Sequence, residues 1–296
     1  MKRVLMSGAG GFFAPHFRAL LEARGVAVVP IGRESHPRSD LTHPEPWARE
    51  LEAQAPDAVL HLAGCMTSQD LSTFYRVNVG FAAALFEAAR RVDFPADKPI
   101  LVLGSAAEIG VAPDGERPIL ETAPLHPLGH YGISKVAQTE LALSESRSRA
   151  VVVARVFNLV GSLALGHFAR SIAEVAKQGK SGSIRVGNLE AVRDFVDPRD
   201  AARLCLSLLE NPRARGAVTN VASGTGVRLS DALDTLIRAS GLEITVERDP
   251  ARMKPADVPY SVGSAARLTE LVGPLELMSL EQSLGDVYRS ALGSDR

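Results

Sequence analysis

"RVLMSGAGGFFAPHF" (residues 3–17) joins an apolar strand to an amphipathic helix through a turn rich in glycine. Gly8, Gly11 and Ala14 stand three residues apart in that turn. Glycine permits the tight turn and lets the backbone approach a phosphate, while the small third residue lets the helix pack close to the sheet. Because a strand precedes the turn and a helix follows it, we predict that the helix N-terminus binds the pyrophosphate of a dinucleotide. A glycine-rich turn without a ligand is the alternative.

Short apolar runs alternate with helical patterns through the first half of the chain. The runs are continuously apolar, which indicates strands buried on both faces, as in a parallel sheet covered by helices. With right-handed crossovers, this alternation predicts an α/β fold with a doubly wound parallel sheet of the Rossmann type. The predicted strands are 3–6, 26–31, 57–62, 99–104 and 150–157, and the predicted helices are 16–25, 46–54, 79–92 and 131–147.

The alternation loosens after residue 160. We expect a nucleotide-binding domain over residues 1–160, with 190–222 crossing back to it. A smaller C-terminal substrate-binding lobe is expected over 161–189 and 223–296. In the second half of the chain the sequence pattern predicts helices at 164–179, 198–210, 229–241 and from about 279, and strands at 184–188 and 217–221.

Composition excludes several classes of protein. The 296 residues carry 33 Lys and Arg against 34 Asp and Glu, so the net charge of −1 provides no basic field for nucleic acid or an anionic membrane. Cys65 and Cys205 stand alone without metal-ligand spacing, so we expect buried thiols and no metal site. No apolar stretch reaches the roughly 18 residues of a membrane span. We therefore expect a soluble protein of the cytoplasm.

The end of the second predicted strand bears on the choice of dinucleotide. Gly32 and Arg33 stand there, not the acidic residue that binds a ribose 2′-hydroxyl. An Arg at this position pairs with a 2′-phosphate, so Arg33 favours NADP over NAD, although a solvated surface Arg is the alternative. Asp40 and Leu41 follow shortly and are candidates for contact with the adenine edge.

"YGISK" places Tyr131 and Lys135 four residues apart on one helix, so both side chains project from the same face. A nearby ammonium favours the phenolate and lowers the pKa of a tyrosine from about 10. Such a tyrosine moves a proton to or from the oxygen of a carbonyl/alcohol pair while hydride moves at carbon. A surface Tyr–Lys contact is the alternative.

Several further motifs accompany these: "HLAG" (61–64), Asn78 in "VNVG", "GSAAEIG" (104–110) and "RVFNLVG" (155–161). With the glycine turn and the Tyr–Lys pair, they resemble the extended short-chain dehydrogenases/reductases of the NAD-dependent epimerase/dehydratase family, which act on nucleotide sugars. The resemblance covers essentially the whole chain. It implies an NADP cofactor, with NAD as the alternative, and the small residues at 104–107 would face nicotinamide and sugar. The implied cofactor-binding residues are Gly8, Gly10, Gly11, Phe12, Phe13, Arg33, Asp40, Leu41, Leu62, Ala63, Gly64, Asn78, Tyr131 and Lys135.

Two motifs in the second half are more specific. "VGNLEAVRDFVDPRD" (186–200) and "RDPARMKPADVP" (248–259) resemble the GDP-mannose 4,6-dehydratase and GDP-4-keto-6-deoxymannose reductase branch. By that resemblance, Asn158 and Arg193 would hold the diphosphate. The guanosine would be enclosed by the backbone of Val186 to Asn188 together with Arg252 and Asp257. Structural turns and ion pairs are the alternative interpretation of both motifs.

Within this branch the sequence favours a reductase. The chain is shorter than a typical dehydratase and lacks the Arg-rich insertion that those enzymes carry after the region equivalent to 161–168. The expected reaction is NADPH-dependent reduction of the 4-keto group of a GDP-linked 4-keto-6-deoxyhexose, giving a product of the GDP-rhamnose type. An epimerase or 4,6-dehydratase that recycles its cofactor is one alternative, and a non-catalytic sugar-nucleotide-binding protein is another. Family analogy implies a homodimer formed through helices 79–92 and 131–147.

The stretch "GSAAEIG" departs from the family pattern. A Ser or Thr is expected two residues before Glu108, beside the catalytic Tyr131 and Lys135, and Ala106 stands there. Ser105 is the neighbouring hydroxyl, but adjacent side chains of a strand point to opposite faces. We therefore expect Ser105 to join Tyr131, Lys135 and Glu108 as a catalytic residue only if the strand end bulges or twists out of register. "LVGSLALGHF" (159–168) also replaces an expected Gly-Pro-Gly-Gln turn.

Overall fold

The apolar runs of the first half become parallel strands in the computed structural model, which describes residues 1–32, 40–112, 117–253 and 258–293. Within those ranges the strands are β1 (Arg3–Ser7), β2 (Ala27–Ile31), β3 (Ala58–His61), β4 (Ile100–Ser105), β5 (Val151–Val156), β6 (Asn158–Leu159), β7 (Ser181–Val186), β8 (Val192–Val196), β9 (Val218–Val221), β10 (Gly226–Arg228), β11 (Glu243–Arg248) and β12 (Tyr260–Ser261).

The helices follow the predicted helical patterns to within a few residues and add two short ones. In chain order they are α1 (Ala14–Ala23), α2 (Pro44–Gln54), α3 (Leu71–Tyr75), α4 (Phe81–Arg91), α5 (His130–Glu145), α6 (Leu163–Gln178), α7 (Pro198–Glu210), α8 (Leu229–Ser240), α9 (Ala266–Val272) and α10 (Leu280–Gly293). None of these helices combines the length and the hydropathy needed to cross a bilayer.

The central sheet has the strand order β2-β1-β3-β4-β5-β9, and all its pairs are parallel. From β1 the chain first moves outward to β2 and then returns to the other side of β1 to form β3. The doubly wound parallel sheet is therefore confirmed. Its switch point lies between β1 and β3, where the carboxyl ends of the strands leave a crevice for a ligand.

Apolar packing on both faces explains why the strands are continuously apolar. In β1, Val4 and Met6 pack into one core with α1 and α7, while Leu5 packs into a second core on the opposite face. That second core contains Trp47 of α2 and Phe86 of α4. Successive side chains of a strand point to opposite faces, so a strand covered on both sides needs an apolar residue at every position.

The second lobe has a core of its own, formed by α6, α8 and α10 beside the parallel pair β7–β11. A small sheet, β10-β8-β12 with β6 beside β8, lies between the two parts. The division differs from the expected boundaries at two places. Strand β8 lies within 190–222 but joins the small sheet, and Leu268 of α9 packs in the core with α7. Leu268 is fully buried there, so packing assigns α9 to the nucleotide-binding domain.

His61 is a buried ionisable group at the end of β3. Its side chain has no exposed surface, its Nδ1 lies 2.8 Å from Ser7 Oγ, and the Trp47 ring meets it edge-on with 5.8 Å between centroids. Burial lowers the pKa of His61 from 6.5 to about 3, and the charge of Lys135 acts in the same direction. His61 is therefore neutral in the folded protein at neutral pH.

We predict that His61 makes the fold sensitive to mild acid. Because the folded-state pKa lies below the unfolded one, its contribution to stability is complete above pH 6.5 and is lost as the pH falls towards 3. Between pH 7 and pH 5, urea unfolding of the wild type should lose about 2 kcal/mol more than unfolding of His61→Asn. The exposed His43 provides the control His43→Asn. Identical pH dependence in wild type and His61→Asn would refute the assignment.

Candidate active site

The glycine turn after β1 lies against the segment that follows β3. Gly8 has a φ of +73°, and a Cβ atom on it would lie 2.6 Å from the Ala63 backbone nitrogen. Gly11 N donates to Gly8 O at 2.9 Å, and α1 begins three residues later with its N-terminus at the turn. Gly10, Gly11 and Phe12 are exposed beside this contact. The turn and the segment 62–64 therefore form one cradle at the switch point, and its close backbone approach suits a dinucleotide pyrophosphate.

The segment predicted to contact adenine is held by local hydrogen bonds. The Asp40 carboxylate accepts from Thr42 N at 3.0 Å and Thr42 Oγ1 at 2.7 Å, and these bonds lower the pKa of Asp40. Leu41 is buried, and its carbonyl accepts from Trp47 Nε1 at 3.0 Å. Asp40 itself is exposed. Arg33 lies outside the described residues, so its contact with a 2′-phosphate stays a prediction.

Asn78 ties the cradle to the catalytic helix. It lies in a π-helical segment, Arg76–Gly80, and is fully buried. Its Oδ1 accepts from Cys65 N at 2.7 Å, and its Nδ2 donates to Cys65 O at 3.1 Å and to Ser134 Oγ at 2.8 Å. Ser134 Oγ in turn donates to the Tyr131 carbonyl at 2.8 Å. Asn78 thus fixes α5 relative to the segment after β3, and direct contact with cofactor stays a prediction.

Ser105 ends its strand without a bulge. The β4–β5 register is unbroken up to the pair Ser105–Val156, and a 3-10 turn, Ala106–Glu108, begins at the next residue. Ser105 Oγ accepts from Ala107 N at 3.2 Å, and interaction with the Ser105 side chain lowers the pKa of Tyr131. The expected bulge is therefore absent, and the turn packs against α5, which carries Tyr131. Ala106 instead packs against an apolar cluster that contains Phe157.

Lys135 does not act on Tyr131 as the sequence predicts. Its Nζ donates to the Leu103 carbonyl at 2.5 Å and to Gln138 Oε1, and burial lowers its pKa to about 8. The pKa of Tyr131 is raised, first by burial and then by the charge of Glu108, while the hydrogen bond from Ser105 lowers it. The prediction of a lowered tyrosine pKa is wrong for this structure, because the ammonium is bound to other acceptors and desolvation dominates.

The Glu108 carboxylate is enclosed by protein. It has no exposed surface and accepts from Ser105 N at 2.6 Å, Thr139 Oγ1 at 3.1 Å and Arg155 Nε at 3.1 Å. A Cβ atom at Gly104 would lie 2.8 Å from one of its oxygens, so only glycine leaves room for it. Both carboxylate oxygens of Glu108 are therefore hydrogen-bonded within the protein.

The predicted diphosphate residues lie on adjoining strands of the small sheet. Asn158 in β6 pairs in register with Phe195 of β8, and its Nδ2 donates to the Asp194 carbonyl at 3.1 Å. Arg193 lies in β8 between β10 and β12, and its Nη1 donates to the Val192 carbonyl at 3.0 Å. The structure therefore brings Asn158 and Arg193 together at the junction of the two lobes.

The predicted guanosine residues also converge in part. Gly187 lies so close to Arg252 that a Cβ atom would be 2.4 Å from the Arg252 carbonyl oxygen. Val186 is buried in the lobe core, so only its backbone is available to a ligand, and Asn188 Oδ1 accepts from Glu190 N at 3.0 Å. Asp257 lies outside the described residues.

Sequence reasoning missed Asp194. Its buried carboxylate accepts from Ser223 N at 2.8 Å, Ser223 Oγ at 2.7 Å and Gly224 N at 2.9 Å, and burial raises its pKa. These bonds attach the loop after β9 to the strand that carries Arg193. An acidic residue inside a short apolar strand was the available signal, because a buried carboxylate requires such partners.

Comparisons with known proteins agree with this geometry. A model of the NAD dependent epimerase/dehydratase family matches residues 4–222. The GDP-6-deoxy-D-mannose reductase of Pseudomonas aeruginosa is 30% identical, over 96% of this chain and 95% of that protein. The GDP-6-deoxy-D-talose 4-dehydrogenase of Aggregatibacter actinomycetemcomitans is 25% identical over 98% of both chains. The structure of RMD from Pseudomonas aeruginosa complexed with NADPH superposes with a TM-score of 0.88, at 27% identity over 99% of both chains.

We predict that Gly8→Ala weakens NADPH binding by about tenfold or more, because its Cβ would displace the Ala63 backbone. Gly25→Ala is the matched control, since Gly25 has a similar φ of +70° but no neighbour within 4 Å of a Cβ. Gly25→Ala should show the strain of the left-handed conformation as a lower melting temperature, with unchanged NADPH affinity by calorimetry. Equal NADPH affinities for the two variants would contradict the cradle.

Proposed function

The chain belongs to the NAD dependent epimerase/dehydratase family, and from that premise we propose that it reduces the 4-keto group of a GDP-linked 4-keto-6-deoxyhexose with NADPH. The observation that carries the proposal is the end-to-end similarity to a GDP-6-deoxy-D-mannose reductase, which covers 96% of this chain and 95% of that enzyme. The second relative is named as a 4-dehydrogenase of another GDP-linked 6-deoxyhexose. A reaction at C4 of such a sugar is therefore the best-supported function.

The residues of the cleft suit this chemistry. NADPH, when bound in the cradle, supplies the hydride that reduces the carbonyl carbon. Tyr131 donates the phenolic proton to the developing oxyanion, acting as the general acid. The Ser105 hydroxyl lowers the pKa of Tyr131 and thereby stabilises the phenolate that forms as Tyr131 gives up its proton.

Lys135 has a pKa of about 8 and is therefore mostly protonated at pH 7. Its ammonium is bound to the Leu103 carbonyl and Gln138, so the role we propose for it is the cofactor contact that the resemblance implies. Asn158 and Arg193 bind the diphosphate, since amide and guanidinium groups are strong donors to phosphate oxygens. The resemblance assigns the binding of guanosine to the backbone of Val186 to Asn188 with Arg252 and Asp257, and we propose the same roles here.

The alternatives are less well supported. A 4,6-dehydratase needs a base that removes a proton from the sugar, and Glu108 has no exposed surface and is paired with Arg155. A non-catalytic binding protein has no use for the hydrogen bond between Ser105 and Tyr131. An epimerase that recycles its cofactor is separated from a reductase by cofactor consumption. A homodimer through α4 and α5 and a cytoplasmic location stay predictions.

We expect one NADPH to be consumed for each molecule of GDP-4-keto-6-deoxymannose converted, as measured by absorbance and mass spectrometry. An epimerase would convert sugar without net loss of NADPH. Calorimetry should show GDP bound more tightly than dTDP or UDP, since the base-binding residues resemble those of a GDP-sugar branch. Equal affinity for the three nucleotides would contradict the GDP assignment without affecting the proposed reduction of a 4-keto group.

We predict that Tyr131→Phe abolishes turnover with NADPH binding intact, and that Ser105→Ala lowers kcat by about 10²–10³-fold. The double variant Ser105→Ala, Ala106→Ser provides the control for position. Because Ala106 packs on an apolar cluster, its serine should not restore the rate. Unchanged turnover in Tyr131→Phe would refute the mechanism, and recovery in the double variant would transfer the hydroxyl role to position 106.

A further inference from the structure

A buried ion pair lies next to the Ser105 backbone at the end of β4. The side chains of Glu108 and Arg155 are 0% and 2% exposed, with 3.1 Å between Glu108 Oε2 and Arg155 Nε. Burying two charges costs desolvation energy, so such a pair adds little net stability relative to apolar packing. The position of the ion pair therefore says more about its role than its contribution to stability does.

The Glu108 carboxylate joins three elements at the end of β4. It accepts from Ser105 N at 2.6 Å, from Thr139 of α5 at 3.1 Å and from Arg155 of β5. Gly104 leaves the space that the carboxylate occupies. Arg155 is held in turn, because its Nη1 donates to the Glu121 carbonyl at 3.2 Å. The backbone of Ser105 is thus fixed relative to the helix that carries Tyr131.

The hydrogen bonds of Ser105 direct its single hydroxyl proton. Ser105 Oγ accepts from Ala107 N at 3.2 Å, within the same capping box in which Glu108 accepts from Ser105 N. A hydroxyl has one proton to donate, and the amide of Ala107 uses a lone pair. The proton therefore remains available to a neighbouring acceptor, and Tyr131 lies on α5, which packs against this turn.

We propose that Glu108 is a positioning residue, which holds Ser105 in place relative to α5 and Tyr131 while Glu108 itself transfers no proton to or from the substrate. The capping contact from Glu108 fixes the Ser105 backbone, Thr139 ties the carboxylate to α5, and Arg155 neutralises its charge. The proposal rests on the proposed function for its kinetic test only.

The first test separates positioning from acid–base chemistry. Glu108→Ala should lower kcat about 10- to 100-fold, with the KM for NADPH unchanged, because a small displacement of a catalytic group is costly. The double variant Glu108→Gln, Arg155→Met keeps an acceptor oxygen for Ser105 N and removes both charges. It should keep kcat within about threefold of the wild type, since the capping contact is retained. A loss in the double variant as large as in Glu108→Ala would overturn the proposal.

The second test asks whether Glu108 acts through Ser105. In a Ser105→Ala background, Glu108→Ala should lower kcat by less than about twofold further, because the hydroxyl that it positions is gone.

The milder variant Thr139→Val keeps the ion pair and should lower kcat less than Glu108→Ala. Thr219→Val, at a buried threonine of β9, is the matched control and should leave kcat unchanged. Losses that multiply fully in the double variant would refute positioning through Ser105.

A spectroscopic readout separates failure of this inference from failure of the proposed function. With 3,5-difluorotyrosine placed at position 131, Ser105→Ala should shift the fluorine resonance of the NADPH-bound protein at pH 7. The same substitution should shift it little when Glu108 is already alanine. Equal shifts in both backgrounds would overturn the inference even if the enzyme reduces its substrate. If no nucleotide sugar is reduced, the proposed function fails, and this comparison still decides the role of Glu108.

Discussion

The close backbone contact between Gly8 and Ala63 is the constraint on which the site depends. The turn after β1 and the segment after β3 meet there with no room for a side chain. This contact is possible because the two strands are neighbours at the point where the sheet reverses its direction of winding. Asn78, which is bound to the segment after β3, also donates to Ser134 of α5, and Ser134 donates to the Tyr131 carbonyl. These bonds hold α5 in place relative to that segment. The turn after β1 and Tyr131 are therefore positioned by one connected set of contacts.

Burial controls the electrostatics of the site more than any ion pair does. The pKa of His61 falls to about 3, that of Lys135 falls to about 8, and that of Tyr131 rises, each with desolvation as the largest cause. A low-dielectric interior disfavours the charged form of each group, so His61 and Tyr131 are neutral in it. Interaction with Ser105 opposes this effect at Tyr131 and lowers its pKa.

Polar contacts, not only apolar packing, join the second lobe to the first. Asp194 in β8 binds the loop after β9, which is the last strand of the central sheet. Arg199 at the start of α7 pairs with Asp197 at 2.8 Å and with Asp286 of α10 at 2.7 Å. Through these bonds the small sheet that carries Arg193 has a defined position relative to the cofactor cradle.

The sequence by itself determined the parallel sheet, the glycine turn after its first strand and the placement of Tyr131 and Lys135 on one helix. Continuous apolar runs, the spacing of Gly8 and Gly11, and the spacing of Tyr131 and Lys135 are local patterns with direct structural consequences. Strand β11 was missed because "EITVER" alternates between exposed and half-buried residues at a sheet edge, where the apolar pattern is weak. Only the tertiary structure decided how Ser105 is held beside α5. The direction of the Ser105 side chain depends on a turn held by Glu108, and Glu108 is held by α5 and β5, which are distant in the chain.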